Sequence, residues 1–201
     1  MNAQHELDTP SAWVVRWADS IAPGGRVLDV ASGSGRHARW FAARGHPVDA
    51  VDRDAEALST LRGVAGVRTF CADIENAAWP CERGCYAGVV VANYLHRPLF
   101  PELLAALAPG GALIYETFAR GQERYGRPSN PAFLLKPGEL LEVVRGRLRV
   151  IAYEDLEVII PSPSAPFPTP LPKGEGKSTG ADAPITIQLK PAVVQRICAI
   201  G

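Results

Sequence analysis

Asp29, Asp52 and Asp73 each stand at or just past the carboxyl end of a short apolar run, and a glycine turn lies between the first two. The first run, Val27-Leu28-Asp29-Val30, leads into Ala31-Ser32-Gly33-Ser34-Gly35, whose glycines permit positive φ and close approach of backbone to a ligand. Asp52 follows Gly33 by nineteen residues, about the distance at which a carboxylate takes both hydroxyls of a ribose. Asp73, directly after the run Val67 to Cys71, can accept from an adenine amino group or cap the next short helix. A hydrogen bond with one charged partner is worth ~1.5–3 kcal/mol. Such residues describe a nucleoside site. Two ligands fit it. Gly33-x-Gly35-x-x-Ala38 satisfies the loose dinucleotide fingerprint, with a pyrophosphate on the helix N-terminus, as in an NAD(P)-binding oxidoreductase. Asp29, four residues before Gly33, suits instead a ligand that carries an ammonium group.

The elements that must position these residues alternate strand and helix. Thr9-Pro10 reads as an N-cap and N1 pair that opens a helix to about Ile21. Trp13, Trp17 and Ile21 share one face of it, either a core stripe or a partial lid over the cleft. After the glycine turn, Ala38, Trp40, Phe41 and Ala42 pattern a second helix that stops at Gly45. Pro47 to Val51 is the second strand, and Asp54 opens a helix ending near Gly63. Tyr86 to Tyr94 is the most apolar run, suited to a central parallel strand. Polar residues leaving the carboxyl end of such a strand face the crevice, which marks Asn93, Tyr94, His96 and Arg97. A further helix spans Pro98 to Ala108, and Pro109-Gly110-Gly111 turns into the fifth strand. The polar segment from Tyr115 to Pro131 then reads as a loop over the cleft. Its Arg120, Arg124 and Arg127, with Tyr125, offer a fork for an oxyanionic substrate.

Composition narrows the function. A chain of 201 residues that is 47% hydrophobic predicts one domain, residues 1–201. The 21 basic and 21 acidic side chains cancel, and no basic block supports a nucleic-acid partner. The N-terminus lacks a signal-peptide core and no stretch approaches ~20 apolar residues, which predicts a cytoplasmic protein without a membrane partner. Four irregularly spaced cysteines predict free thiols, and no metal site is expected from Cys81 and Cys85.

Asp29-x-Ala31-x-Gly33-x-Gly35, Asp52, Asp73, the polar end of the fourth strand and the Pro-Gly-Gly turn follow in an order and spacing that resembles the class I S-adenosylmethionine-dependent methyltransferases. The likeness covers Val27 to Ile114 and departs at Ala31, where most members have Gly. It implies an α/β fold: a Rossmann-like three-layer sandwich on a seven-stranded, mostly parallel sheet of order 3-2-1-4-5-7-6, with strand 7 antiparallel. It implies S-adenosyl-L-methionine as cofactor, held by Asp29, Ala31, Gly33, Gly35, Asp52, Arg53, Asp73, Ile74 and Asn93. His96, Tyr94 and Arg97 become catalytic candidates, with His96 the best-placed base and Glu116 another. Arg120, Tyr125 and Arg127 become substrate-binding candidates. The Asn93-Tyr94-Leu95 strand end and the arginine-bearing loop resemble the TehB-like (tellurite resistance) enzymes, which implies a small-molecule acceptor such as a thiol or chalcogen oxyanion. A protein that binds this cofactor without transferring its methyl is the remaining alternative.

Residues 161–184 break the pattern, with six prolines among the twelve residues from Pro161 to Pro172. They read as a disordered insertion at the tip of an antiparallel hairpin of strands 6 and 7. Lengthening such a loop from about 4 to about 24 residues costs only ~1.6 kcal/mol in closure entropy. Deleting 161–184 is expected to leave the melting temperature and cofactor affinity nearly unchanged in paired thermal and calorimetric scans.

Overall fold

The computed structural model describes residues 9–161 and 189–201. One seven-stranded sheet runs through them in the order β3-β2-β1-β4-β5-β7-β6. Its strands are β1 (Val27–Val30), β2 (Val48–Asp52), β3 (Val67–Cys71), β4 (Tyr86–Ala92), β5 (Leu107–Phe118), β6 (Arg149–Pro161) and β7 (Leu189–Ile200). β1 to β5 pair in parallel, whereas β7 is antiparallel to both β5 and β6. This is the topology expected from the sequence.

Strand alternation divides the core into two layers. Val27, Val48, Ala50, Val90, Ile114 and Cys198 face one way and Leu28, Val30, Val89, Val91, Leu113 and Tyr115 the other. The first layer is covered by α1 (Ala12–Trp17), α2 (Arg36–Ala43) and α3 (Ala55–Ser59), through Trp13, Val14, Phe41 and Leu58. The second is covered by α4 (Phe100–Ala106) and α5 (Glu139–Val144), through Leu103, Leu140 and Val144. Trp13 and Ile21 are buried and Trp17 packs against the same layer, so this face is core rather than lid. The Trp13 indole N–H also donates to the Ile197 carbonyl at 3.3 Å.

Several boundaries differ from the sequence reading. α1 begins at Ala12 because the Ser11 hydroxyl, not Thr9, accepts from the N–H groups of Trp13 and Val14. A 3-10 turn, Ala18–Ser20, replaces its last turn, since Trp17 has left helical geometry at φ −107° and ψ 5°. α3 stops at Ser59, and turns carry the chain to Gly63. β5 takes in Pro109-Gly110-Gly111, with a register shift opposite Tyr86 and Gly88. β6 extends to Pro161, which pairs with Leu189. Apart from Pro161, the Pro/Gly-rich insertion predicted at 161–184 lies outside the described residues. No helix among the described residues is long and apolar enough to cross a membrane. Cys71, Cys81, Cys85 and Cys198 are free thiols. Burial pushes the Cys81 thiol up to about 12, which keeps it protonated.

Gly35 caps α2 with φ +79°, and a Cβ there would lie 2.5 Å from the Leu61 methyls. Left-handed backbone costs a non-glycine residue about 1–2 kcal/mol, and overpacking a core adds about 1–3 kcal/mol. Gly35→Ala is therefore expected to destabilise the fold by about 2–4 kcal/mol in urea denaturation. Adding Leu61→Ala should relieve the clash but not the backbone strain.

Candidate active site

The five parallel strands end nearly in line. Val30 lies opposite Val51 and Val91, Asp52 opposite Cys71, and Ala92 opposite Glu116. The next residues along the chain, Ala31, Ala72, Asn93 and Thr117, join Asp52 in lining a cleft of about 380 Å³. That volume lies within the range of small-molecule sites, toward its lower end. The cleft forms where the strand order reverses between β1 and β4, as expected for an open α/β sheet.

Its first wall is the glycine turn. Asp52 Oδ2 accepts from the Gly33 N–H at 2.7 Å and Oδ1 from the Asp54 N–H at 2.9 Å. Each oxygen keeps a further lone pair, so the carboxylate is oriented by backbone and still able to accept from a ligand. Ser32 Oγ is buried in this turn with no hydrogen-bond partner. Ala31 and Asn93 hold φ +53° and +57°, the two non-glycine residues with positive φ among the described residues, and both line the cleft. This conformation costs about 1–2 kcal/mol per residue, and such strain concentrates at functional sites. Glycine would adopt the Ala31 conformation without that cost.

The second wall follows β3. Asp73 Oδ1 accepts from the N–H groups of Glu75 and Asn76, and Oδ2 from the Asn76 amide at 2.9 Å. The Asn76 amide, followed by the Glu75 N–H, holds the Asp73 carboxyl below its usual range. Asp73 thus caps its own turn, with Ile74 and Glu75 beside it on the cleft. Tyr94 and Leu95 close the far side, and Phe118, Pro128 and Phe133 form an apolar rim. Tyr94 donates to Glu75 Oε1 at 3.2 Å, and its carbonyl accepts from Tyr115 Oη at 2.7 Å.

Residues 27–111 match a family model described as a methyltransferase domain. The matched segment runs from β1 to the start of β5, the strands whose carboxyl ends line the cleft. The fold of the chain is similar to TehB from Haemophilus influenzae, with a TM-score of 0.68 at 17% identity over 95% of this chain. The chain spans 62% of the length of that TehB chain. A S-adenosylmethionine-dependent methyltransferase from Mesorhizobium loti matches with a TM-score of 0.64 at 16% identity, over 95% of this chain and 98% of that one. Geranyl diphosphate C-methyltransferase from Streptomyces coelicolor A3(2), solved with Mg2+, geranyl diphosphate and S-adenosyl-L-homocysteine, matches with a TM-score of 0.56 at 21% identity, over 72% of this chain and 61% of that one. No curated protein sequence matches the chain.

S-adenosylmethionine is the cofactor that the sequence resemblance implies, and the residues of the cleft can be compared with it. The donor set fits it: oriented carboxylates at Asp52 and Asp73, apolar Ala72 and Ile74 between them, and the unpartnered Ser32 hydroxyl in the turn. Of the residues expected to hold it, Ala31, Asp52, Arg53, Asp73, Ile74 and Asn93 line the cleft. Gly33 and Gly35 do not; Gly33 offers its N–H to Asp52, and Gly35 packs on Leu61. Asp29 lies behind the turn, 1% exposed, with Oδ2 accepting from the Ala38 N–H at 3.0 Å and Oδ1 3.8 Å from His37 Nδ1. A side chain on that face of β1 meets α2 before it meets the cleft.

The substrate side departs further from the sequence reading. Tyr94 lines the cleft, but His96 reaches it only through Glu75, 3.8 Å from Oε2. Arg97 points away: it forks onto Glu139 at 2.6 and 2.9 Å and donates to the carbonyls of Ala132 and Leu134. The Glu139 fork raises its pKa, so it is a fixed cation that anchors the rim loop. Glu116, the other candidate base, lies 3.8 Å from Arg196 and outside the cleft lining. Arg120, Tyr125 and Arg127 also lie outside it; Tyr125 donates to Glu157 at 2.5 Å, and Arg120 and Arg127 are exposed. Sequence reasoning missed Glu75, Phe118, Pro128 and Phe133. Only Glu75 had a signal, its place two residues after Asp73. Arg97→Met is expected to lower stability by about 2–3 kcal/mol, from lost charged hydrogen bonds. The same variant should retain S-adenosylmethionine affinity within twofold by calorimetry, whereas an Arg97 that touched the cofactor would lose that affinity.

Proposed function

We propose that this protein transfers the methyl group of S-adenosylmethionine to a small-molecule acceptor bound under the Phe118, Pro128 and Phe133 rim. The observation that carries this reading is one continuous cleft with polar acceptors on the β1–β3 side and an apolar rim on the β4–β5 side. Asp52 takes the ribose hydroxyls, and Asp73 with Ile74 takes the adenine. Asp29 acts from behind the turn, favouring the cofactor's ammonium electrostatically. When bound, the cofactor supplies an electrophilic methyl on sulfur, so the protein's work is largely to hold the acceptor in line with it. Such positioning supplies roughly 7–11 kcal/mol of a bimolecular barrier. A cleft of about 380 Å³ and a formal charge of zero favour a small diffusible acceptor over nucleic acid.

Calorimetric titration with S-adenosylmethionine, S-adenosylhomocysteine and NAD tests this. Micromolar binding of the first two is expected, with none of NAD. Asp52→Ala should weaken the former at least tenfold, or about 1.4 kcal/mol. NAD binding with no response to S-adenosylmethionine would overturn the reading.

A further inference from the structure

Between the two sides of the cleft, Glu75, Tyr94 and His96 form a group of their own. Glu75 lines the cleft and is about one-third exposed, with a carboxylate that faces two partners. Oε1 accepts from Tyr94 Oη at 3.2 Å, and Oε2 lies 3.8 Å from His96 Nδ1. Burial, then the neighbouring Glu75 charge, pushes the Tyr94 phenol above its ordinary range, so it stays a neutral donor. Its backbone is pinned in turn by the bond from Tyr115. Glu75 is therefore an acceptor held toward the cleft, and His96, 26% exposed, links it to solvent.

The charge around the cleft points the same way. Its lining carries Asp52, Asp73 and Glu75 against the single guanidinium of Arg53. The loop arginines that could neutralise an oxyanion lie outside the lining, and Arg97 is tied to Glu139. An oxyanion entering here would meet like charge in a partly dehydrated site. A neutral nucleophile, or an amine that enters as its ammonium ion and loses a proton before attack, would not. Leu95, Phe118, Pro128 and the half-exposed Phe133 give it an apolar body to rest on.

We infer that Glu75 is the proton acceptor of the transfer, and that the acceptor is a phenol or an apolar amine rather than an oxyanion. The inference rests on the reading under Proposed function. The acceptor's lone pair forms a bond to the methyl carbon as the sulfur–methyl bond breaks, its electron pair remaining on sulfur as a neutral thioether. The N–H or O–H proton of the acceptor passes to the Glu75 carboxylate and leaves through His96 to solvent. His96 is thus a positioning residue. General-base help of this kind contributes about 10²–10⁴-fold.

The test is release of S-adenosylhomocysteine by the full chain with S-adenosylmethionine and, separately, phenol, benzylamine and selenite. Turnover is expected with phenol or benzylamine and not with selenite. Glu75→Gln keeps the shape and the Tyr94 contact but cannot take the proton. It should lower kcat about 100-fold or more while S-adenosylmethionine Kd stays within twofold, which also shows that the variant is folded. Glu75→Asp should recover part of the rate, and His96→Gln should lower kcat with KM unchanged. Selenite turnover, an unchanged rate in Glu75→Gln, or cofactor binding without turnover of phenol and benzylamine would each overturn this inference and leave the cofactor assignment standing. Failure to bind S-adenosylmethionine would instead overturn the reading beneath it.

Discussion

Parallel register at the carboxyl end of the sheet is the constraint on which the site depends. Val30 of β1 is held opposite Val51 on one side and Val91 on the other, so the neighbouring strands end in step. Residues scattered from Ala31 to Thr117 then emerge along one edge and line one cleft. A slip of one residue in any of these strands would turn its side chains to the other face, and the buried apolar runs on both layers forbid it. The 2.7 Å bond from the Gly33 N–H to Asp52 ties the first two strand ends together at that edge.

The rim over the cleft is held by groups that sequence patterns present as functional. Arg97 looks like a substrate ligand because it follows a buried strand, yet its fork is occupied by Glu139 and two loop carbonyls. Gln122 and Gln195, both fully buried, do similar work. Gln122 accepts from the Val193 N–H and donates to the Arg127 carbonyl, while Gln195 accepts from the Leu140 N–H and donates to the Lys136 carbonyl and Asp155. These bonds join the segment after β5 to β7 and to the start of α5. With its backbone satisfied, that segment can stand over the cleft as defined structure despite its polar, glycine- and proline-bearing sequence.

The chemistry of the cleft lining divides along the sheet. On the β1–β3 side, carboxylates oriented by backbone N–H groups suit the hydroxyls and amines of a nucleoside. On the β4–β5 side, Leu95, Phe118, Pro128 and Phe133 add an apolar surface, and Asn93, Thr117 and the Tyr94–Glu75 pair add polar groups beside it. Two strained residues, Ala31 and Asn93, stand where the sides meet. Local strain at the seam is tolerated because Val30, Val89, Val90 and Val91 beneath it are buried and paired.

By itself the sequence determined the alternation of strands and helices and, through its family resemblance, pointed to the sheet order and to the cofactor proposed above. Those features rest on local signals: apolar runs, Gly33 and Gly35 in a turn, and acids at countable distances such as Asp52 after Gly33. Helix and strand limits were less legible, because capping by Ser11 and pairing of Pro161 with Leu189 depend on partners far along the chain or on geometry. Tertiary structure alone decided which polar side chains reach the cleft after β4 and β5. Arg120, Arg127 and His96 carry reactive or charged groups at positions where the chain enters the crevice, but composition does not say which way a loop side chain turns. Direction came from contacts across long separations: Arg97 to Glu139, Tyr125 to Glu157, and Tyr94 to Glu75. An ion pair or hydrogen bond between such residues exists only once the fold has brought them together, so no periodicity in the sequence records it.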